Sequence, residues 1–198
     1  MFDFFLKGGP LMWPILLCSM ISITIILERF YHFYQQRIRI PNIFSRVKNL
    51  LKDGKTDEAL KLCESTSEPV AHILAIGIHI RHRTLEEKEK LISRAGSKII
   101  RQLERNLRGL AIIGNIAPLL GLLGTVTGMI RVFMKIQELG SRVDAQVLAG
   151  GIWEALITTA AGLFVAIPTL VAYHYFEGRV DNTASSMKDV AVELIELQ

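Results

Sequence analysis

The chain has 198 residues, 50% hydrophobic and 21% charged, with a formal net charge of +4. That length suits one or two soluble domains, but the apolar residues gather in three long blocks and most of the charge lies between the first two. This excludes an ordinary soluble globule and indicates a membrane protein, and the position of the basic residues is better explained by a bilayer than by nucleic acid, which is not expected as a partner.

The first block, Gly8 to Leu27, holds 20 residues without a charge. It is too long for the apolar core of a signal peptide, and Glu28-Arg29 follows it instead of a small-residue cleavage site, so it reads as a retained helix. Segment 31–108 then carries 16 Lys/Arg against 9 Asp/Glu. Basic residues favour the cytoplasmic side, and Arg29, Arg37 and Arg39 flank the first helix, so this segment is expected inside. The N-terminus, with only Lys7, is then external, segment 131–144 with 3 Lys/Arg is an external loop, and the C-terminal tail is internal.

Within the cytoplasmic segment the pattern is helical. Ile43, Phe44, Val47, Leu50 and Leu51 mark an amphipathic helix over Asn42 to Leu51. Asp53-Gly54-Lys55 signals a turn, a short helix covers Asp57 to Cys63, and another follows Pro69. Thr84 with Glu87 three residues on fits a capping box. From there the pattern predicts one helix running without a break into the second apolar block, Gly109 to Ile130. Its 22 uncharged residues reach about 33 Å, enough to cross the hydrocarbon core.

The third block, Ala145 to Phe176, contains a single carboxylate, Glu154, and its pattern continues through Val180, Met187, Val190 and Leu194. The expected fold class is an all-α membrane protein with three transmembrane helices and long helical cytoplasmic extensions. It divides into the external N-terminus and first helix (1–30), the cytoplasmic region (31–108), the second helix (109–130), the external loop (131–144), the third helix (145–176) and a cytoplasmic C-terminal helix (177–198). Cys18 and Cys63 fall in unlike surroundings and are expected as free thiols.

Small residues recur on one face of the second membrane helix at Gly114, Ala117, Gly121, Gly124, Thr125 and Gly128. On the third, Gly151, Ala155, Thr159, Gly162 and Ala166 do the same. Such faces let helices approach closely; the alternative is that they line a conduit or receive another helix. Thr125 lies 17 residues from Arg108 and Thr159 lies 18 from Glu177. In antiparallel helices both hydroxyls then sit about 26 Å above one charged boundary. They form a polar ring if copies surround an axis, or each simply bonds to its own helix.

Glu154 is an intramembrane ionisable residue, which is a functional candidate by default. By the same spacing it shares a level with Arg131, so an interfacial ion pair and the mouth of an ion path are the two readings. Pro118 and Pro168 interrupt the helices, either setting bends or fixing the packing. His79 and His82 read as a solvated helix face. No HExxH, P-loop, GxSxG or paired-cysteine motif occurs, so no catalytic residue, metal or cofactor is expected, and a membrane protease or ATPase is disfavoured.

The run from Ala117 to Met129, with Pro118, Gly121, Gly124, Thr125 and Gly128, resembles the second-helix signature of the ExbB/TolQ/MotA ion-driven stator family. Gly151-Ile152-Trp153-Glu154-Ala155-Leu156 with Thr159, Gly162 and Ala166-Ile167-Pro168 resembles the third. Gly9-Pro10, Pro14-Ile15-Leu16 and Glu28-Arg29 match the first. MotA-type stators have four membrane helices, so three favour the ExbB/TolQ branch.

The resemblance implies a homopentamer in the bacterial inner membrane around a dimer of a single-helix ExbD/TolR-like partner whose helix carries an ion-binding aspartate, with a TonB-like protein as a further partner. It implies that Thr125 and Thr159 are pore threonines and that Glu154 is the family's third-helix glutamate. Thr158-Thr159 departs from the proton-type pattern, in which Ala precedes the pore threonine. A doubled threonine resembles sodium-type stators, whose hydroxyl and carbonyl oxygens replace the hydration shell of a hard cation. The expected function is an ion-channel subunit of a motor driven by the proton motive force. The alternatives are a sodium-driven motor and a passive membrane scaffold; a solute carrier lacks support, because no inverted repeat is visible.

Overall fold

A computed structural model of the chain describes residues 9–35, 40–66, 68–139 and 145–196. Lys7, Arg37, Arg39 and residues 140–144 of the expected external loop lie outside the described residues. Among the described residues there are seven α-helices and no strand: α1 Met12–Gln35, α2 Ile40–Lys52, α3 Thr56–Glu64, α4 Pro69–His79, α5 Leu85–Glu104, α6 Leu107–Leu139 and α7 Ala145–Glu196. Three stretches, Met12–Phe33, Leu107–Glu138 and Leu148–Glu196, are long and apolar enough to cross a membrane. The protein is an all-α membrane protein.

The chain forms two compact units. The first takes in the described parts of Met1–Glu28 and Asn106–His174. Pro14 falls in the first turn of α1, where its missing N–H costs no helical bond. Ile15 of α1, Ile113 and Ala117 of α6, and Val165 and Ala166 of α7 pack together as its core. Gly109 lets α1 approach α6, since a Cβ there would stand 3.2 Å from Ile25 Cδ1. The outer faces carry large exposed apolar side chains, among them Trp13, Leu119, Leu156 and Phe164. In water such a surface would aggregate, but against lipid it costs nothing.

The second unit takes in Arg29–Arg105 and Tyr175–Gln198, as far as they are described. Its centre is α4, whose Val70, Ala71, Ile73, Leu74 and Ile78 are buried. Pro69 occupies the start of α4, where its fixed φ suits the first turn. Around α4 pack Val47 of α2, Cys63 of α3, Ile92 of α5, and Met187, Val190 and Leu194 of α7. Each fully buried aliphatic side chain contributes about 1.5–3 kcal/mol relative to exposure. Gly54 at φ 72° ends α2, with Lys55 N donating to Leu50 O at 2.9 Å. Thr84 and Glu87 form both bonds of the capping box, at 3.3 and 3.4 Å. Phe33 stacks on Phe176 with centroids 5.5 Å apart, and Lys48 forms an ion pair with Glu193.

Three boundaries differ from the sequence pattern. The helix expected to run unbroken from Thr84 is two helices, α5 and α6, parted by turn residues Arg105 and Asn106. Two contacts with the distant end of α1 accompany the break. Buried Arg29 donates to the Leu103 carbonyl at 3.1 Å, an acceptor in the last turn of α5. The Asn106 amide donates to the Glu28 carboxylate at 2.9 Å. Both are long-range contacts that periodicity does not register. Secondly, α6 continues to Leu139, past the expected loop boundary, because Val132 keeps its apolar face packed at 5% exposure. Lastly, α1 extends beyond Leu27 to Gln35.

Candidate ion-conducting site

The first unit pairs α6 and α7 antiparallel through their small residues. A Cβ added at Gly128 would lie 2.9 Å from Ala155 Cβ, and one at Gly121 would lie 3.0 Å from Thr159 Cα. At Gly162 it would meet the Ala117 carbonyl oxygen at 2.6 Å, and at Gly124 it would collide with the Thr158 side chain. Gly114 and Gly151 approach Leu170 and Val132 in the same way. Gly121, Gly128 and Gly162 bring the two backbones together, and Gly114, Gly124 and Gly151 make room for side chains of the facing helix. Pro118 and Pro168 lie inside α6 and α7, and Pro118 leaves the Gly114 carbonyl without its helical donor.

Each threonine has a distinct setting. Thr158 is 1% exposed, fills the space that Gly124 leaves open, and donates its hydroxyl to the Glu154 carbonyl at 2.9 Å. Thr159 sits at the edge of the interface and donates across it to the Gly121 carbonyl at 3.0 Å. Thr125 is likewise half-buried and donates to the Leu122 carbonyl at 2.7 Å. Gly121 is one turn from Thr125, so Thr125 and Thr159 lie within about 6 Å of each other along the helix axis. Both keep lone pairs that can accept from water or approach a cation.

Glu154 pairs with Arg131, Oε1 to Nη1 at 2.7 Å. The carboxylate is 27% exposed and the guanidinium 47%. One further residue belongs to this region without any signal in helical periodicity. Gly9, at φ 71°, is packed so closely that a Cβ there would collide with Glu154 Oε1 and come within 3.2 Å of Arg131 Nη2. Its visible trace in the sequence is the Gly9-Pro10 pair.

Residues 65–189 match the MotA/TolQ/ExbB proton channel family. A biopolymer transport protein of Synechocystis sp. named ExbB-like is 38% identical over 179 residues, covering 86% of this chain and 68% of its own. A biopolymer transport ExbB homolog of Methanothermobacter thermautotrophicus is 31% identical over 181 residues, 91% of this chain and 64% of its own. An ExbB-type biopolymer transport protein of Vibrio cholerae is 28% identical over 188 residues, 91% of this chain and 80% of its own. With a family match over most of its length, ExbB-named relatives and three helices suited to a bilayer, the chain belongs to the MotA/TolQ/ExbB proton channel family.

Proposed function

We propose that this chain is the channel subunit of an inner-membrane motor that converts the proton motive force into mechanical work on the cell envelope. It does so as a homopentamer around a dimer of an ExbD/TolR-like single-helix partner, with a TonB-like protein as a further partner. Its N-terminus is periplasmic and its C-terminus cytoplasmic. The observation that carries the reading is the placement of Thr125 and Thr159 within one turn of each other, on helices whose nearest carboxylate, Glu154, is held by Arg131 at 2.7 Å.

A membrane proton carrier is ordinarily a buried carboxylate, because burial raises its pKa toward the working pH. No Asp occurs in the three apolar blocks of this chain. The chain therefore supplies hydroxyls that orient water or the ion, and the partner helix supplies the carboxylate beside Thr125 and Thr159. Gly121, Gly124, Gly128, Ala155 and Gly162 hold α6 against α7 so that this pair stays in register. The setting of Thr158 favours protons over sodium. Its hydroxyl is turned into the α6–α7 interface and donates to Glu154 O, so the doubled threonine adds no second oxygen to the Thr159 edge.

The test is gradient-driven ion flux into liposomes holding the chain alone or with its partner. Flux is expected only with the partner, and only while the partner's membrane aspartate is intact. Selective flux from the chain alone overturns the shared site. Correct assembly with no flux in any combination points to a scaffold, and flux that follows sodium instead of protons replaces the coupling ion.

A further inference from the structure

The second unit carries two charged stripes that the channel reading does not use. Along α5 and its C-terminal cap, Lys90, Arg94, Lys98, Arg101 and the cap residue Arg105 are all exposed. Their spacings of three and four residues place them on one side of the helix over an axial length of about 22 Å. Among the described residues none of the five has a carboxylate within ion-pair distance. Of the four carboxylates of α5, Glu86 and Glu87 come before the stripe begins, with Glu87 facing Arg83 at 3.8 Å, and Glu89 and Glu104 stand off its edge.

On α7, Asp181, Asp189 and Glu196 are exposed. They also share one side, over the same axial length of about 22 Å, with Lys188 between them. Beside them a groove of about 540 Å³ runs between α5 and α7. Its apolar floor includes Ile73, Ile92 and Met187, and small Gly96, Ala184 and Ala191 open its walls.

We infer that the basic stripe of α5 docks on the acidic stripe of α7 in a second copy of this chain, making a charged seam between neighbouring subunits. The inference rests on the self-assembly proposed above and assigns the surfaces that carry it. Three observations select this occupant. The stripes have opposite charge and equal length. Laid antiparallel, they match in register, with Lys90 opposite Glu196, Lys98 opposite Asp189 and Arg105 opposite Asp181. They are also different surfaces of the same chain, and such a heterologous contact closes into a ring when the rotation permits.

Leu91 is 40% exposed beside the basic stripe and offers the neighbour's groove an apolar tip. A lipid surface would engage the basic stripe alone and leave the acidic stripe and the groove beside it without an occupant.

The test uses the full chain with Cys18→Ala and Cys63→Ala. Chains carrying only Lys98→Cys are co-expressed with differently tagged chains carrying only Asp189→Cys, then oxidised in the membrane. A cross-link between the two tags, absent when either variant is alone, is the expected result. In detergent, Arg94→Glu with Lys98→Glu should weaken association about tenfold, and adding Asp189→Lys to the same chain should restore part of it. The seam should also weaken in about 1 M salt, where the screening length falls to about 3 Å. Normal oligomers with no cross-link and no response to charge reversal overturn the seam alone. Loss of binding to anionic vesicles with intact oligomers assigns the stripe to lipid and overturns it too. A monomeric wild-type chain overturns both the seam and the self-assembly beneath it.

Discussion

Gly162 is where the α6–α7 pair has least room to yield. An alanine Cβ there would stand 2.6 Å from the Ala117 carbonyl oxygen, 3.1 Å from Gly121 Cα and 3.2 Å from Gly121 N. All three are backbone atoms of α6, so no rotamer change relieves the contact and the helices must separate. Overpacking of this kind costs about 1–3 kcal/mol. Alanine recovers about 0.5–1 kcal/mol over glycine in a helix interior. The net expectation for Gly162→Ala, taking the middle of each range, is therefore a loss of about 1.3 kcal/mol.

Gly178 is the matched control, since nothing lies within 4 Å of a Cβ there. Gly178→Ala should keep the helical gain and be neutral or slightly stabilising. Reversible unfolding in mixed micelles, titrated with a denaturing detergent and followed by circular dichroism, measures both. Gly162→Ala as stable as wild type would refute the close-approach argument, as would an equal loss in Gly178→Ala. The separation should also lengthen the Thr159–Gly121 bond, now 3.0 Å, so function should fall with stability.

Other expectations concern charge, topology and thiol chemistry. Glu154→Gln keeps the shape but removes the charge facing Arg131, and ion-driven work should fall without vanishing; complete loss would make Glu154 an obligatory carrier. Cysteines replacing exposed Lys90 and Glu138 should differ in intact cells, with an impermeant maleimide reaching position 138 and not position 90; labelling at 90 alone would invert the topology. Burial pushes the Cys63 thiol up to about 11 from 9.0, with Glu64 adding to the effect. Only the thiolate reacts, so in a Cys18→Ala background native protein at about pH 8 should resist alkylation that proceeds once it is denatured. The raised value favours the fold below pH 9, and this contribution is lost as pH rises toward 11, because the unfolded thiol ionises first. Equal alkylation of native and denatured protein would contradict that burial.

The parts of the fold legible in the sequence are those set by local or periodic rules. Uncharged runs mark α1, α6 and α7, Gly54 and Pro69 punctuate the helices between α1 and α5, and Thr84 with Glu87 announces the start of α5. Equal distances from charged boundaries were enough to place Glu154 beside Arg131. What escaped the sequence depends on contacts between distant residues. The break at Arg105–Asn106 is accompanied by Arg29 on Leu103 and Glu28 on Asn106, and no Gly or Pro marks it. Adjacent threonines point about 100° apart on a helix, so Thr158 and Thr159 cannot share a face, but only the packing tells which one enters the interface. Gly9 shows its role only when α1 is set against Glu154.

The most direct measurement of the central claim is proton influx, read by a pH-sensitive dye, into liposomes holding the complex of this chain with its aspartate-bearing partner. Valine replaces the hydroxyl of threonine with a methyl group of similar shape, so Thr125→Val with Thr159→Val isolates the oxygens. The account predicts that this variant assembles normally and loses proton influx. Influx at the wild-type rate in the assembled double variant would contradict it.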